Sequence, residues 1–347
     1  MALFLDGPVP LEDTITFTQQ VPLPSNNQLT AMFPTRHYGT DEVDFAEITQ
    51  TNRAAKFRNW DGSFWVAPRD TGLDKRVKLL PLGGQLGVGE YERRQKEYAR
   101  IGGTIQSILV DAIYNDLQNL TTYVHNRVEL AWGDVLSDGK LTINENGVQQ
   151  EVDYGIPSTQ KVTPAVLWDA SSGTIDPLAN LITWYDVYRK KNGVGPGKFL
   201  TSLKVVRELQ TNAKLIAAIK GDQTGATHVT LEEISGLFAS YGLPPISMDS
   251  VYDSNMDVDG DTTAVLPDNK FLFLPSDMST LGFTAWGTPT TVMELNANNV
   301  QVNQGAGVIG ILVREEQPPF QKRTFVDAVA LPVLADPRKL LVATVGS

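Results

Sequence analysis

The chain has 347 residues, 41% of them hydrophobic, no cysteine, and a formal net charge of −11. That length fits one large domain or two to three small ones, with apolar content enough for a packed core. The missing cysteines exclude disulfides, thiolate metal sites and cysteine nucleophiles, and the acidic balance argues against wrapping nucleic acid, which needs clustered Lys and Arg.

The first residues, MALFLDGPVP, carry no basic segment and no sustained apolar run, so no signal peptide is expected. No apolar stretch approaches the ~20 residues that cross a bilayer. Residues 1–50 are punctuated by Pro8, Pro10, Pro22, Pro24 and Pro34, which predicts irregular structure. Ile15, Phe17, Leu23, Leu29, Met32 and Phe33 are nonetheless too apolar for a solvated tail. An arm packed along its own body or a neighbour reconciles the two.

In residues 51–87, FRNWDGSFWVAP has an Asp61-Gly62 turn between aromatic residues, the mark of a hairpin. KRVKLLPL reads as the returning strand. Gly83, Gly84, Gly87 and Gly89 read as a hinge. A long two-stranded excursion has little core of its own and needs a partner surface. Residues 51–80 carry Arg53, Lys56, Arg58, Arg69, Lys75, Arg76 and Lys78 against only Asp61, Asp70 and Asp74. Trp60 and Trp65 lie inside this basic stretch, where aromatic anchors of a protein interface are expected; base stacking is the rival use.

GEYERRQKEYAR predicts a helix interrupted at Gly102-Gly103. A longer one follows, with Ile105, Ile108, Ala112, Leu117, Leu120, Val124, Val128, Ala131 and Val135 at three- and four-residue spacing, ending at Asp138-Gly139. About 30 residues at 1.5 Å each make a spine of roughly 45 Å. Two alternating strands then flank Asn146-Gly147, a strong hairpin signal, and Ser171-Ser172-Gly173 marks a boundary.

Asp176-Pro177 predicts a capped helix that Gly193 stops. A short strand at Phe199-Leu200, helices over 203–209 and 213–219, and a capping box at Thr230 and Glu233 follow. A hairpin is expected from Pro245-Ile246 to Phe271-Leu274, enclosing an acidic loop. That loop carries Asp253, Asp257, Asp259 and Asp261. One basic and one acidic segment suit self-association; two unrelated solvated loops are the alternative. Residues 308–313, 324–333 and 340–345 read as strands.

Familiar chemistry is imitated but incomplete. The run from Asn255 to Asp261 resembles the start of a calcium loop, yet Leu266 stands where the bidentate Glu belongs, so an acidic hairpin tip is expected. The run from Gly193 to Lys198 resembles a phosphate loop, but Asn192 occupies the first Gly position and Phe199 the Ser/Thr position, which predicts a structural turn. His37, His125 and His228 are scattered singly, and no G-x-S-x-G elbow occurs. No catalytic, cofactor-binding or metal-binding residue is therefore assigned.

Five segments carry a resemblance: EVDYG at 151–155, Trp168 with Asp176-Pro177, YGLPP at 241–245, LPDNK at 266–270, and LPVL with ADP at 331–337. In that order they resemble the lambda-type major capsid protein (capsid protein E) family, whose α+β fold is named for phage Hong Kong 97. The resemblance implies an N-terminal arm (1–50), an extended loop (51–87), a peripheral domain with the spine helix (88–170), an axial domain (171–311) and C-terminal strands returning to the peripheral domain (312–347). It implies a coat protein that assembles in the bacterial cytoplasm as pentamers and hexamers, by way of a procapsid that expands as the genome is packaged. Expected partners are a scaffolding protein, a portal and a decoration protein. The shell encloses double-stranded DNA without reading it, and touches no membrane. The rivals are an encapsulin-like nanocompartment of the same fold, a hydrolase using carboxylates such as Asp169 and Asp176, and a tail or decoration protein.

Overall fold

The computed structural model describes residues 9–48, 72–88, 106–145, 147–170, 175–221, 225–247, 252, 254–258, 260–297, 302, 307–314 and 322–347. Two five-stranded sheets organise them.

The arm is more regular than its prolines suggest. Leu11–Gln20 form helix α1 directly after Pro10, with Glu12 and Asp13 in the first turn, where the helix dipole favours acids. Gln28–Met32 form the one-turn helix α2. Ile15, Leu29 and Phe33 are buried in the chain's own body, and Phe17 packs on Tyr114 at 4.6 Å. Strand β1 (Thr35–His37) follows, then β2 (Glu42–Ile48), β3 (Gly72–Lys78) and β4 (Leu80–Val88).

The predicted spine is helix α3, Gln106–Asp138, 33 residues long. Leu117, Leu120, Val124, Val128, Trp132, Val135 and Leu136 give it a buried stripe. Gly147 lies between β5 (Lys140–Glu145) and β6 (Val148–Asp153), at φ 81° as such a turn requires.

After β7 (Lys161–Val162), helix α4 (Pro177–Asn192) is capped as expected. The Asp176 carboxylate accepts from the Ala179 amide at 3.0 Å, and Gly193 closes the helix at φ 75°. Strand β8 (Lys198–Thr201), helices α5 (Leu203–Thr211), α6 (Ala213–Lys220) and α7 (Leu231–Ser240), and strand β9 (Ile246–Ser247) follow. Both reciprocal bonds of the Thr230–Glu233 capping box form.

The hairpin expected between residues 245 and 274 is corrected. Strand β9 pairs with β8 instead. The acidic loop folds into its own ribbon, β10 (Asn255–Val258) against β11 (Asp261–Ala264). β12 (Lys270–Leu274) lies between β8 and β16 (Leu341–Thr344). Pairings this distant in sequence leave no periodic trace, so the nearest apolar segments were the natural but wrong partners.

The first sheet centres on the 13-residue strand β15 (Lys322–Leu334), which pairs antiparallel with β4, with β13 (Gly282–Trp286) and with β14 (Val308–Arg314). Strand β1 adds parallel to β13. Helix α3 packs on this sheet, while α1 and α8 (Thr290–Ala297) cover β14 through Ile15, Val292, Leu295, Ile309 and Ile311.

The second sheet runs β7-β16-β12-β8-β9. Phe271 and Phe273 of β12 face the core of helices α4 to α7, while Leu272 and Leu274 face the core under α3. Burial on both faces explains why KFLFL reads as an unbroken apolar run. The expected division near residue 311 falls inside β14, and β16 joins the second sheet rather than the first.

Candidate assembly surfaces

The segment expected to be an extended loop is flanked by a paired ribbon. β2 and β3 pair from Glu42 opposite Lys78 to Ile48 opposite Gly72. Val43, Val77 and Leu79 anchor it in the core. Glu42 reaches Arg76 at 3.1 Å and Lys78 at 3.8 Å. Such exposed pairs contribute ~0–1 kcal/mol each, so they set register more than stability. Arg53, Lys56, Arg58, Trp60 and Trp65 lie outside the described residues. Lys75 and Arg76 are consecutive in β3, and Arg76 pairs with Glu42 on the root itself.

Three of the glycines expected to form a hinge lie in a paired strand; Gly89 lies outside the described residues. Gly83, Gly84 and Gly87 sit inside β4, opposite Asp327, Val326 and Arg323 of β15. A Cβ on Gly84 would stand 2.9 Å from Leu120 Cδ2, so its bareness serves close packing of β4 on the spine. A strand bonded along nine residues is not a loop that bends freely.

Beside β4 runs a groove of about 630 Å³, walled by Leu80–Gly84, by Leu120, Tyr123 and Arg127 of α3, and by the β5–β6 and β10–β11 ribbons. Tyr123 is 60% exposed and Val148 42%, unusual for large apolar side chains. Glu145 and Asp257 stand on its rim, with Glu145 2.7 Å from Arg127.

Glu129 on α3 was invisible in sequence. It is fully buried, and its carboxylate faces the arm. One oxygen accepts from the Leu29 amide at 2.7 Å. The other accepts from the Thr30 amide at 2.7 Å and the Thr30 hydroxyl at 2.6 Å. Burial raises its pKa, and the hydrogen bonds from residues 28–30 oppose that rise. One turn away in each direction, burial lowers the pKa of His125, and Trp132 stacks on Phe33 at 3.6 Å while donating to Thr284 at 2.9 Å. A cavity of about 490 Å³ beside this arm segment is lined by Thr18, Thr30, Phe33, His37, His125 and Trp286.

The imitated sites are occupied by structural roles. Asp257 accepts from the Gly260 amide at 2.7 Å across the acidic tip, Asp261 opens β11, and Asp253 and Asp259 lie outside the described residues. Among the described residues no group of three metal-ligating side chains converges. Asp176 caps α4 and meets Lys214 at 3.1 Å. Asp169 accepts from the Ser347 amide at 2.7 Å and hydroxyl at 2.6 Å, which lowers its pKa, the wrong direction for a general acid. Neither carboxylate is free in the way the hydrolase alternative needs. No helix among the described residues is long and apolar enough to cross a membrane.

Among solved structures, the chain is similar to a prophage capsid protein of E. coli CFT073, at 14% identity and TM-score 0.59, covering 95% of each chain. It is also similar to a phage-related protein of Bordetella bronchiseptica RB50, at 12% identity and TM-score 0.55, covering 99% of this chain and 97% of that one. These likenesses speak for the fold, the Hong Kong 97-like capsid fold. No curated protein matches the chain. The profile described as phage major capsid protein E matches residues 14–345. A coat fold with a paired ribbon beside an exposed groove agrees with a match over nearly the whole chain: it belongs to the phage major capsid protein E family, the shell proteins of the virion head.

Proposed function

We propose that this coat protein closes its shell by laying the extended loop of one copy into the groove beside β4 of the next. The observation that carries the reading is the pairing of a rooted hairpin with an apolar, acid-rimmed groove. Arg53, Lys56 and Arg58 of the incoming loop complement Glu145 and Asp257, and Trp60 or Trp65 covers Tyr123 and Val148. A standard interface buries about 1,600 Å². Each such contact need not be tight, because a closed shell joins many at high effective concentration.

The copies form pentamers and hexamers of a procapsid that expands during packaging. A scaffolding protein, a portal and a decoration protein complete the head. The acidic chain encloses double-stranded DNA without gripping its phosphates. The role is mechanical, and no catalysis is assigned to it. Charge reversal at Arg53 and Arg58 together is expected to leave a folded subunit that forms no shells by electron microscopy, and Tyr123→Asp is expected to do the same from the receiving side. Normal shells from both variants would contradict the pairing of loop and groove.

A further inference from the structure

We infer that Glu129 is the positioning residue of assembly: by clamping Leu29 and Thr30 to the spine helix, it sets the arm and, through it, the exit of the extended loop. The inference rests on the shell reading above and adds to it the group that aligns the two reaching segments.

Three observations carry it. First, the hold is concentrated on one side chain. Helix α2 spans only five residues, too short to persist alone. Its amides at Leu29 and Thr30 are satisfied by Glu129 from another element, a hundred residues away. Charge-assisted bonds of this kind are about twice as strong as neutral ones.

Second, the clamp leads straight to the loop. Thr35–His37 pair with β13 five residues after Thr30, and Glu42 opens the root hairpin five residues after His37. Whatever fixes Thr30 on the spine therefore fixes where β2 leaves the body. Phe33, stacked on Trp132, is the second pin on the same path.

Third, the seam is partly open and polar. A cavity of about 490 Å³ lies beside Thr30 and His125, although Leu29 and Phe33 are packed in the core. Both side-chain polar atoms of Asn27 are buried without a partner, as is His125 Nδ1. Polar groups gather at this seam, and the acceptors that Glu129 gives Leu29 and Thr30 are its directional hold there.

A glutamine keeps the shape but brings an N–H₂ where one oxygen accepted, so either the Leu29 or the Thr30 amide loses its acceptor. The test compares wild type, Glu129→Gln and Thr30→Val, each as the full chain. Hydrogen exchange followed by mass spectrometry reads peptides over residues 22–34, and electron microscopy with light scattering reads shell formation. Circular dichroism reports whether the body is folded. The expected result for Glu129→Gln is exchange at least ten-fold faster in residues 22–34 alone, with the concentration needed for shells raised at least ten-fold. Thr30→Val keeps both amide bonds and loses only the hydroxyl bond, so it is expected to shift both readouts in the same direction and less. Should Glu129→Gln fail to fold, Thr30→Val decides the matter alone by whether its arm exchange and its shell threshold move together. Wild-type exchange and wild-type shells from a folded Glu129→Gln would overturn the inference. Absence of shells from wild type would instead overturn the shell reading on which it rests.

Discussion

Gly133 lies in the spine helix where a Cβ would stand 1.9 Å from the carbonyl oxygen of Val265. The chain that follows the acidic ribbon therefore crosses the helix at backbone contact distance. Alanine at this position gains about 1 kcal/mol of helix propensity. It also forces apart two backbones, and overpacking typically costs ~1–3 kcal/mol or more. The clash wins, because a main-chain carbonyl cannot rotate aside as a side chain can. Gly133→Ala is expected to be net destabilising by ~1–3 kcal/mol, read as a lowered midpoint in urea.

Tyr154, buried after β6, donates its hydroxyl to the carbonyl of Pro332 on β15. Burial raises its pKa well above that of an ordinary tyrosine, so it remains a donor. Tyr154→Phe leaves that buried carbonyl without the bond, and a loss of ~1–3 kcal/mol is expected. Thermal denaturation would register it; an unchanged midpoint would mean water replaces the hydroxyl.

The stack of Phe33 on Trp132 predicts a local rather than global effect. Truncating a buried Phe costs up to ~3–5 kcal/mol where the ring is part of a global core. Here residues 9–34, which precede β1, can loosen while both sheets persist. Phe33→Ala is expected to make residues 9–34 at least ten-fold more sensitive to limited proteolysis, with the body's melting transition shifted by only a few degrees.

The spine helix also carries two opposed pH effects. Burial holds the His125 pKa below 6.5. A base whose folded pKa is depressed contributes stability above its unfolded value, and that stability is lost as pH falls below it. Glu129 is raised above 4.5, so its contribution is present at low pH and is lost as pH rises through the folded value. Acidification from pH 7 toward 5 therefore weakens the seam through His125 while relieving Glu129. His125→Phe is expected to flatten the fall in melting temperature over that range. A fall as steep as in wild type would assign the pH response elsewhere.

The parts legible in the sequence were those fixed by local chemistry. Asp176-Pro177 with Gly193, Thr230 with Glu233, and Asn146-Gly147 each satisfy or turn their own backbone, so their meaning is carried within a few residues. The spine was legible by its period. Glu129 and Gly133 were not, because each is defined by what crosses the helix: an arm a hundred residues earlier and a strand end more than a hundred later. The glycines of β4 misled for a related reason. A glycine that admits a helix and a glycine that admits a bend look alike until the helix is seen. The interleaving of β16, β12 and β8 was hidden because a strand buried on both faces shows no alternation to assign its partners.

If loop and groove meet as proposed, copies of this chain close into a shell through that contact. Electron microscopy of the purified chain, alone and co-expressed with candidate scaffolding proteins, is the measurement to make first. Closed, symmetric shells tens of nanometres across are expected, with the hairpin rooted at Glu42 and Lys78 lying over the neighbouring copy's Tyr123. Discrete monomers or dimers under every condition, or shells in which that groove faces solvent, would contradict it.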